Sequence, residues 1–224
     1  MLNHTSFSNL ERDPKTGLLY RKASNTENPK ARLLLLHGVG SNEENLATIA
    51  SLLPKGLELL LPRGPLQIGP EQFAWYQVTF TNQGPSFSEE QAEKSRQLLT
   101  QFIGELPELP TVIAGFSQGG IMSSSVGVTE PELVKGFALL SGRMLREIAP
   151  LIASGDRLKS TSAFIAHGLK DGVLPISWAE EGNDWLGQLG VPLEVHFYDM
   201  AHQIVDIELA DFSAWLSKTL NLNI

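Results

Sequence analysis

Short runs of consecutive apolar residues recur along this chain between longer stretches of mixed character. Such runs lie at residues 18–23, 32–36, 57–61, 111–116, 136–140, 163–166 and 193–198. Short apolar runs bounded by turn residues are typical of strands that are buried on both faces of a sheet. Pro62, directly after the third run, supports a strand end at that place, because proline cannot donate to a strand ladder.

The longer stretches place apolar residues at a spacing of three or four, which predicts helices. They cover residues 43–53, 89–106, 118–127, 176–189 and 205–220. Ser88 and Gln91 match a capping box, and Pro107 marks the end of the helix that follows it. Alternating strands and helices predict an α/β fold with a mostly parallel, twisted sheet and helices on both faces. Ligands of such sheets bind beyond the carboxyl ends of the strands, so the loops there should carry the chemistry.

The chain shows no internal repeat, low-complexity tract or long linker. We therefore expect a single domain over residues 1–224, with residues 1–31 as an N-terminal extension that can include an edge hairpin. Of the 224 residues, 42% are hydrophobic and 19% are charged, which is enough apolar material for one substantial core.

Charge and cysteine content exclude several functions. The formal net charge is -8, and no cluster of Lys and Arg stands out, so a nucleic-acid partner is not expected. The absence of cysteine excludes disulfides, a thiolate nucleophile and cysteine-bound metals. The polar start predicts a cytoplasmic protein, and the apolar run at 33–36 is far too short for a membrane span. The sequence leaves a homodimer open.

One pentapeptide carries the strongest chemical signal. Residues 115–119 read Gly-Phe-Ser-Gln-Gly, which matches the G-x-S-x-G nucleophile elbow of α/β-hydrolases, and they lie between a predicted strand and a predicted helix as that motif requires. Ser117 is the predicted nucleophile, and the helix start beneath it favours a developing oxyanion. In the alternative interpretation, Ser117 only caps the helix.

A serine nucleophile needs a histidine base, and α/β-hydrolases supply the acid and then the histidine after the serine. The chain has five histidines. His202 is the predicted base, because it follows every other candidate and lies between the last strand and the last helix. The other four lie in a polar terminus, within a strand, or before the candidate acid: His4, His37, His167 and His196. A capping or solvent-exposed role is the alternative for His202.

Asp171 is the predicted acid of this triad. It follows the strand at 163–166, which places it at the carboxyl end of the sheet. The rivals are Asp156 in a polar connection, Asp184 within a predicted helix, and Asp199 only three residues before His202. An Asx turn or a helix cap is the alternative for Asp171, since Asp-Gly is a common turn pair.

Two backbone amides are needed to stabilise the oxyanion of a tetrahedral intermediate. We assign them to Gln118, which follows the nucleophile, and to Val39, in the His-Gly-Val-Gly loop at 37–40 after an early strand. The long segment at 62–87 is rich in Gly and Pro, and its aromatic residues Phe73, Trp75 and Tyr76 predict a wall of the substrate pocket. Core packing is the alternative for Trp75.

Taken together, several motifs resemble the phospholipase/carboxylesterase family, the small esterases that include acyl-protein thioesterases and bacterial carboxylesterases. The motifs are Leu-His-Gly-Val-Gly at 36–40, Leu-Pro-Arg-Gly-Pro at 61–65, Phe-Ala-Trp-Tyr at 73–76, Ala-Gly-Phe-Ser-Gln-Gly-Gly at 114–120, the acid loop at 167–175, and His202. The chain departs from the family pattern at Ala201, where Gly is usual, and at Leu174, where Val is usual.

The resemblance implies a single-domain α/β-hydrolase without a large lid and without a cofactor or metal. It places Ser117, Asp171 and His202 on the family's triad, and Val39 and Gln118 on its oxyanion amides. The expected function is hydrolysis of short-to-medium-chain carboxylic esters, with thioesters or lysophospholipids as alternative small-molecule substrates. Two other hypotheses remain: a non-catalytic ligand-binding protein of the same fold, and a hydrolase of another bond, such as a peptidase or a dienelactone hydrolase, the latter disfavoured by the absence of cysteine.

Overall fold

A computed structural model describes residues 6–24, 26–81 and 84–222. Its strands are β1 (Glu11–Arg12), β2 (Leu19–Ser24), β3 (Ala31–Leu36), β4 (Leu57–Pro62), β5 (Leu66–Gly69), β6 (Gln72–Ala74), β7 (Val78–Thr81), β8 (Gly84–Phe87), β9 (Thr111–Phe116), β10 (Gly136–Leu140), β11 (Ser162–Gly168) and β12 (Leu193–Tyr198). Its α-helices are α1 (Glu89–Glu105), α2 (Gln118–Thr129), α3 (Gly155–Leu158), α4 (Ile176–Gln188) and α5 (Asp206–Thr219).

Eight strands form the central sheet, in the order β1-β2-β4-β3-β9-β10-β11-β12. The pairs β1–β2 and β2–β4 are antiparallel, and all later pairs are parallel. In the register, Leu36 lies beside Gly115 and Leu140 beside Phe116. The carboxyl ends of β3, β9 and β10 therefore meet at one edge of the sheet, as expected for the location of a site.

Helices cover both faces of this sheet, because every central strand is apolar on both sides. On one face, α1, α2 and α4 pack on inward-facing strand residues; the core there includes Phe102, Val126, Leu186, Leu34 and Ile113. On the other face, α5 packs through a second cluster that includes Phe212, Trp215, Leu33, Leu59 and Phe164. The predicted α/β class, with a mostly parallel sheet between two helical layers, is confirmed.

The N-terminus of α1 is fixed by a local hydrogen bond that the sequence predicts. The Ser88 hydroxyl oxygen accepts a hydrogen bond from the Gln91 N–H at 3.3 Å, which is half of the predicted capping box. The Gln91 side chain instead accepts from the Gln77 N–H at 2.8 Å. The helix therefore begins where the sequence predicts, while the glutamine also holds the preceding segment.

The predicted helix at 43–53 is wrong. That region contains only a 3₁₀ helix at Ala47–Leu52, preceded by turns in which amides bond three residues back, as from Ala47 N to Glu44 O at 3.0 Å. The Glu43 side chain, 1% exposed, points inward to Arg63 and Arg21. These long-range ion pairs hold the start of the 43–53 segment in turns. The hydrophobic periodicity of that segment, which predicts a helix, contains no information about such pairs.

The segment at 62–87 is more ordered than a single long loop. It contains two antiparallel hairpins, β5–β6 and β7–β8, and the predicted loop residues 82 and 83 lie outside the described part of the chain. Between β10 and β11 the chain forms a 3₁₀ helix (Arg146–Leu151) and the four-residue α3, so this connection carries no large lid.

Candidate active site

Ser117 lies at the junction of β9 and α2, in a backbone conformation that most residues avoid. Its φ is 55° and its ψ is -119°. A non-glycine residue with positive φ is strained, and such strain persists only where the surroundings enforce it. Here the Ser117 N–H donates to Leu140 O at 2.8 Å, and Ile121 N–H donates to Ser117 O at 3.1 Å. The turn therefore presents the Ser117 hydroxyl at the carboxyl edge of the sheet.

The flanking glycines make this sharp turn sterically feasible. A Cβ on Gly115 would lie 2.3 Å from the carbonyl carbon of Gly119, and a Cβ on Gly119 would lie 2.1 Å from Leu36 O. Both distances are far below a normal contact, so β9, α2 and the end of β3 can approach this closely only with glycine at these positions.

The three side chains predicted as a triad lie in one hydrogen-bonded row. The Ser117 hydroxyl donates to His202 Nε2, with 3.0 Å between Oγ and Nε2. His202 Nδ1–H donates to Asp171 Oδ2 at 2.7 Å. Because the second bond fixes the proton on Nδ1, Nε2 is left as the acceptor that faces the serine. Ser117 comes from the loop after β9, Asp171 from the loop after β11, and His202 from the loop after β12.

Asp171 is held as an ionised acceptor. Its Oδ1 accepts from the amides of Val173 at 2.8 Å and Leu174 at 2.9 Å, and its side chain has no exposed surface. Burial raises the pKa of Asp171, but the hydrogen bond from His202 and those from the two amides outweigh burial and hold the pKa below its ordinary value. The Asx turn considered as an alternative is therefore present in addition to the contact with His202.

The rival carboxylates lie away from this row. The side chains of Asp156 and Asp199 are 91% and 72% exposed and pair with Lys159 and Lys170. Asp184 is exposed on α4. Of the described carboxylates, Asp171 is the one with a hydrogen bond to His202.

The rival histidines have other partners, and His4 lies outside the described residues. His37 Nδ1–H donates to Gly38 O at 2.8 Å, and Nε2 accepts from Gly64 N–H at 2.9 Å. His196, on β12, hydrogen bonds to Glu194 at 2.9 Å. Neither histidine faces the nucleophile.

Of the described rival histidines, His167 is the one whose ring approaches a residue of the predicted triad. It lies within β11, with Nε2 2.8 Å from Leu174 O and 3.4 Å from Asp171 Oδ2. Burial lowers the pKa of both His37 and His167, so the neutral ring is favoured at each position. His167 therefore packs behind the acid and helps to place the loop that carries it.

The loop at 37–40 lies directly against the nucleophile. A Cβ on Gly38 would lie 3.3 Å from the Cβ of Ser117. Gly40 N–H donates to Phe73 O at 2.9 Å, which ties the end of the loop to β6. Val39 is 42% exposed, and Gln118 is the first residue of α2, where backbone amides have no intrahelical carbonyl partner. Both amides predicted to stabilise an oxyanion therefore belong to segments beside Ser117.

The three aromatic residues predicted as a pocket wall lie in the core. Trp75 has no exposed surface, and its Nε1–H donates to His37 O at 2.9 Å. Tyr76 is 2% exposed and Phe73 is 8% exposed, with the guanidinium of Arg63 stacked 4.3 Å above the Phe73 ring. Burial therefore favours the core-packing alternative for Trp75, whose indole supports the loop at 37–40 from beneath, and it encloses Tyr76 as well, while Phe73 keeps one edge on a surface cavity beside Arg63.

Two supports of the site have no local sequence signal. The Gln118 side chain accepts from Trp75 N–H and donates to Tyr76 O, both at 2.8 Å, so it joins the start of α2 to the segment after β6. The Glu43 carboxylate accepts two hydrogen bonds from Arg63, at 2.6 and 2.7 Å. Both are long-range contacts that become visible only in the folded chain.

The described ranges contain neither a membrane-spanning helix nor a cluster of metal ligands. No described helix is long and apolar enough to cross a membrane. No group of three or more His, Asp or Glu side chains in residues 6–24, 26–81 and 84–222 converges in a way that could hold a metal ion.

Comparison with known proteins agrees with this geometry. The Phospholipase/Carboxylesterase family matches residues 22–220. Acyl-protein thioesterase 1 of Kluyveromyces lactis is 27% identical, over 90% of this chain and 97% of its own length. A carboxylesterase structure from Mesorhizobium loti superposes with a TM-score of 0.80 at 20% identity, and the match covers 94% of this chain and 99% of that one. The structure of Zea mays acyl-protein thioesterase 2 superposes with a TM-score of 0.77 at 18% identity, and the match covers 90% of this chain and 98% of that one. The chain belongs to the phospholipase/carboxylesterase family.

Proposed function

We propose that this protein is a serine hydrolase that cleaves carboxylic esters with short-to-medium acyl chains through an acyl-enzyme on Ser117. The single observation that carries the proposal is the continuous row from Ser117 Oγ through both nitrogens of His202 to Asp171, with distances of 3.0 and 2.7 Å. A hydroxyl is a weak nucleophile until a neighbouring base accepts its proton, and this row supplies the base and the carboxylate that orients it.

In the acylation step, His202 Nε2 accepts the Ser117 proton as Oγ attacks the ester carbonyl carbon. The negative charge moves to the carbonyl oxygen, where the amides of Val39 and Gln118 stabilise it. His202 then gives the proton to the departing alkoxide, and the bond to the leaving group breaks. Asp171 stabilises the charged imidazole between these transfers.

In the deacylation step, a water molecule takes the place of the leaving group. His202 accepts a proton from this water, the hydroxide attacks the acyl carbonyl, and the second tetrahedral intermediate collapses. The carboxylic acid leaves, and the proton returns from His202 to Ser117 Oγ. No cofactor takes part in the proposed cycle.

Thioester hydrolysis is the second candidate. It is supported by the names of relatives such as acyl-protein thioesterase 1 of Mycosarcoma maydis, which is 27% identical over 86% of this chain and 92% of its own length. The same row of side chains serves either leaving group, since both reactions pass through one acyl-enzyme. A series of p-nitrophenyl esters and matched acyl thioesters of increasing chain length separates the two by their kcat/KM values.

The test of the proposal is Ser117→Ala, compared with Ser177→Ala, which alters an exposed serine on α4. The Ser117 variant should lose p-nitrophenyl butyrate hydrolysis by roughly 10⁴-fold or more and lose labelling by a fluorophosphonate probe. The Ser177 variant should behave as the parent protein. Normal turnover by folded Ser117→Ala would overturn the mechanism, and a parent protein that binds esters without reacting with the probe would be a non-catalytic binder.

A further inference from the structure

Arg143 is the third residue after β10, the strand that pairs with β9, and it takes no part in the proposed acylation and deacylation steps. It follows β10 through Ser141, which has a φ of 50°, and Gly142, which lies against the elbow. A Cβ on Gly142 would lie 3.2 Å from the Gly120 carbonyl carbon and 3.3 Å from Ser117 O. The backbone that carries Arg143 therefore touches the backbone that carries the nucleophile.

The guanidinium of Arg143 is half-buried and lacks a carboxylate partner. Within residues 6–24, 26–81 and 84–222, no Asp or Glu forms an ion pair or hydrogen bond with it. Glu181, which lines the same cavity, is within electrostatic range of Arg143 but forms its direct ion pair with Arg146, at 2.6 Å. The N–H groups of Arg143 are therefore not occupied by a described carboxylate and can donate to a ligand.

Two aromatic rings fix the orientation of this guanidinium. Its central carbon lies 4.7 Å from the ring centroid of Trp178, on α4, and 5.4 Å from that of Phe87, at the end of β8. A guanidinium that lies over aromatic rings is attracted to their faces and can still donate its N–H groups to another partner. The N–H edge of the guanidinium has the geometry for a two-point hydrogen bond to a carboxylate or a similar anionic group.

The space in front of Arg143 can accept part of a substrate. A cavity of about 240 Å³ opens there, with a mostly polar lining from Arg143, Arg146 and Glu181 and an apolar part from Met144, Trp178 and Trp185. The protein as a whole has a net charge of -8 and so repels anions at long range. Arg143 is therefore a local exception in the charge distribution, and the residue before it touches the backbone of the nucleophile elbow.

We propose that Arg143 is a specificity-determining residue that binds an anionic group, of which a carboxylate is the simplest, on the ester that Ser117 attacks. This inference rests on the proposed hydrolase function and deepens it, since it names the substrate class as esters that carry a negative charge on either the acyl part or the leaving group. The side chain would bind the anion through its free N–H edge while Trp178 and Phe87 hold the plane of the guanidinium.

The experiment uses two pairs of substrates that differ only in charge. In the first pair, the acyl part ends in a carboxylate or a carboxamide: the p-nitrophenyl monoester of adipic acid and that of adipic acid monoamide. In the second pair, the leaving group carries the difference: the butyrate esters of para-hydroxyphenylacetic acid and of its amide. For each pair, the quantity measured is the ratio of kcat/KM for the anionic over the neutral substrate.

In the parent protein, at least one pair should give a ratio above one, and that pair identifies which part of the substrate reaches Arg143. Arg143→Met should lower the ratio about tenfold to a hundredfold, the range of a charge-assisted hydrogen bond. Arg143→Lys keeps the positive charge but loses the paired N–H donors of the guanidinium, so its ratio should lie between those of the parent protein and Arg143→Met. Arg157→Met, which removes an exposed arginine that pairs with Glu132 and does not line this cavity, should keep the parent ratio.

A purely structural arginine would lower the rates for both members of a pair together and leave each ratio unchanged. That result, or parent ratios of one or less in both pairs, overturns the inference even if Arg143→Met does not fold. Failure of the proposed function gives a different pattern, since the neutral esters would then not be cleaved at all and the fluorophosphonate probe would not react.

Discussion

The loops that carry His37 and His202 both follow a parallel strand, yet the two histidines have opposite roles. His37 is 1% exposed, and both of its ring nitrogens bond to the backbone, at Gly38 and Gly64. The His202 side chain is 16% exposed, and both of its nitrogens bond to reactive side chains, Asp171 and Ser117. One imidazole joins two segments of the scaffold, while the other has the contacts expected of the proposed base.

The difference shows that position after a strand does not by itself make a histidine catalytic. Burial lowers the pKa of His37 and keeps it neutral, which suits a fixed donor and acceptor. A general base must instead reach both a nucleophile and the site where the substrate binds. The variants below separate these two roles by testing activity and stability independently.

The largest expected effect belongs to His202→Ala. Loss of the base should lower kcat by roughly 10⁴- to 10⁶-fold, because Ser117 then has no proton acceptor. The free energy of unfolding should fall by about 1–3 kcal/mol, because Asp171 Oδ2 loses its partner inside the protein and the ring contact with Phe116, with 4.8 Å between centroids, is lost. Steady-state kinetics and urea unfolding measure the two effects. Near-native turnover in a folded variant would rule out His202 as the base.

Asp171→Asn should lower turnover by roughly 10⁴-fold with the fold retained, because the amide cannot stabilise a charged imidazole and favours the wrong tautomer. Asp199→Asn is the matched control, since Asp199 is exposed and pairs with Lys170 across a surface loop. It should keep near-native kcat. The acid assignment fails if the two variants exchange these outcomes.

His37→Ala should act on stability first. It removes the acceptor of the buried Gly64 N–H and leaves a cavity under Trp75, whose ring centroid lies 5.5 Å from that of His37. We expect a loss of roughly 2–4 kcal/mol in the free energy of unfolding. His196→Ala, which removes a partly exposed pair with Glu194, should cost about 1 kcal/mol or less.

The contrast between His37 and His196 is measured by urea unfolding of both variants. Labelling of Ser117 by the fluorophosphonate probe should persist in His37→Ala at temperatures where it is folded. Equal losses of stability in the two variants, or complete loss of labelling in folded His37→Ala, would contradict a scaffold role for His37.

The smallest expected effect is the dependence of stability on pH. The folded-state pKa values of His37 and His167 lie below the ordinary value of 6.5, so the unfolded chain takes up their protons first as pH falls. Stability is therefore fully present above about pH 6.5 and decreases below it. Glu208 opposes this trend, because burial raises its pKa to about 7, and its contribution is lost as pH rises.

The measurement is best made in Glu208→Gln, which removes the opposing titration and keeps an acceptor for the Val205 N–H. Urea unfolding from about pH 7.5 to about pH 5 should show a decline in this protein and a shallower decline when His37→Ala is added. If the free energy of unfolding changes with pH by the same amount in Glu208→Gln and in the double variant, His37 does not titrate differently in the folded and unfolded states.

Much of the fold could be predicted from local sequence. Thr111–Phe116, Gly136–Leu140 and Leu193–Tyr198 have the bounds that their apolar runs predict, because every residue of each run pairs with a neighbouring strand. The start of α1 follows from Ser88 in the same way. The 3₁₀ helix at Ala47–Leu52 could not be predicted, since the segment before it is held by the ion pair of Glu43 with Arg63.

The sequence by itself determined most of the central strands and long helices, the α/β class, and the order of a serine, an aspartate and a histidine in loops after strands. These depend on periodicity and turn chemistry, which act over a few residues. Only the tertiary structure decided that Trp75 lies beneath the site and that, among the described residues, no carboxylate forms an ion pair with Arg143. Burial and charge pairing depend on residues that are distant along the chain, so no local pattern contains them.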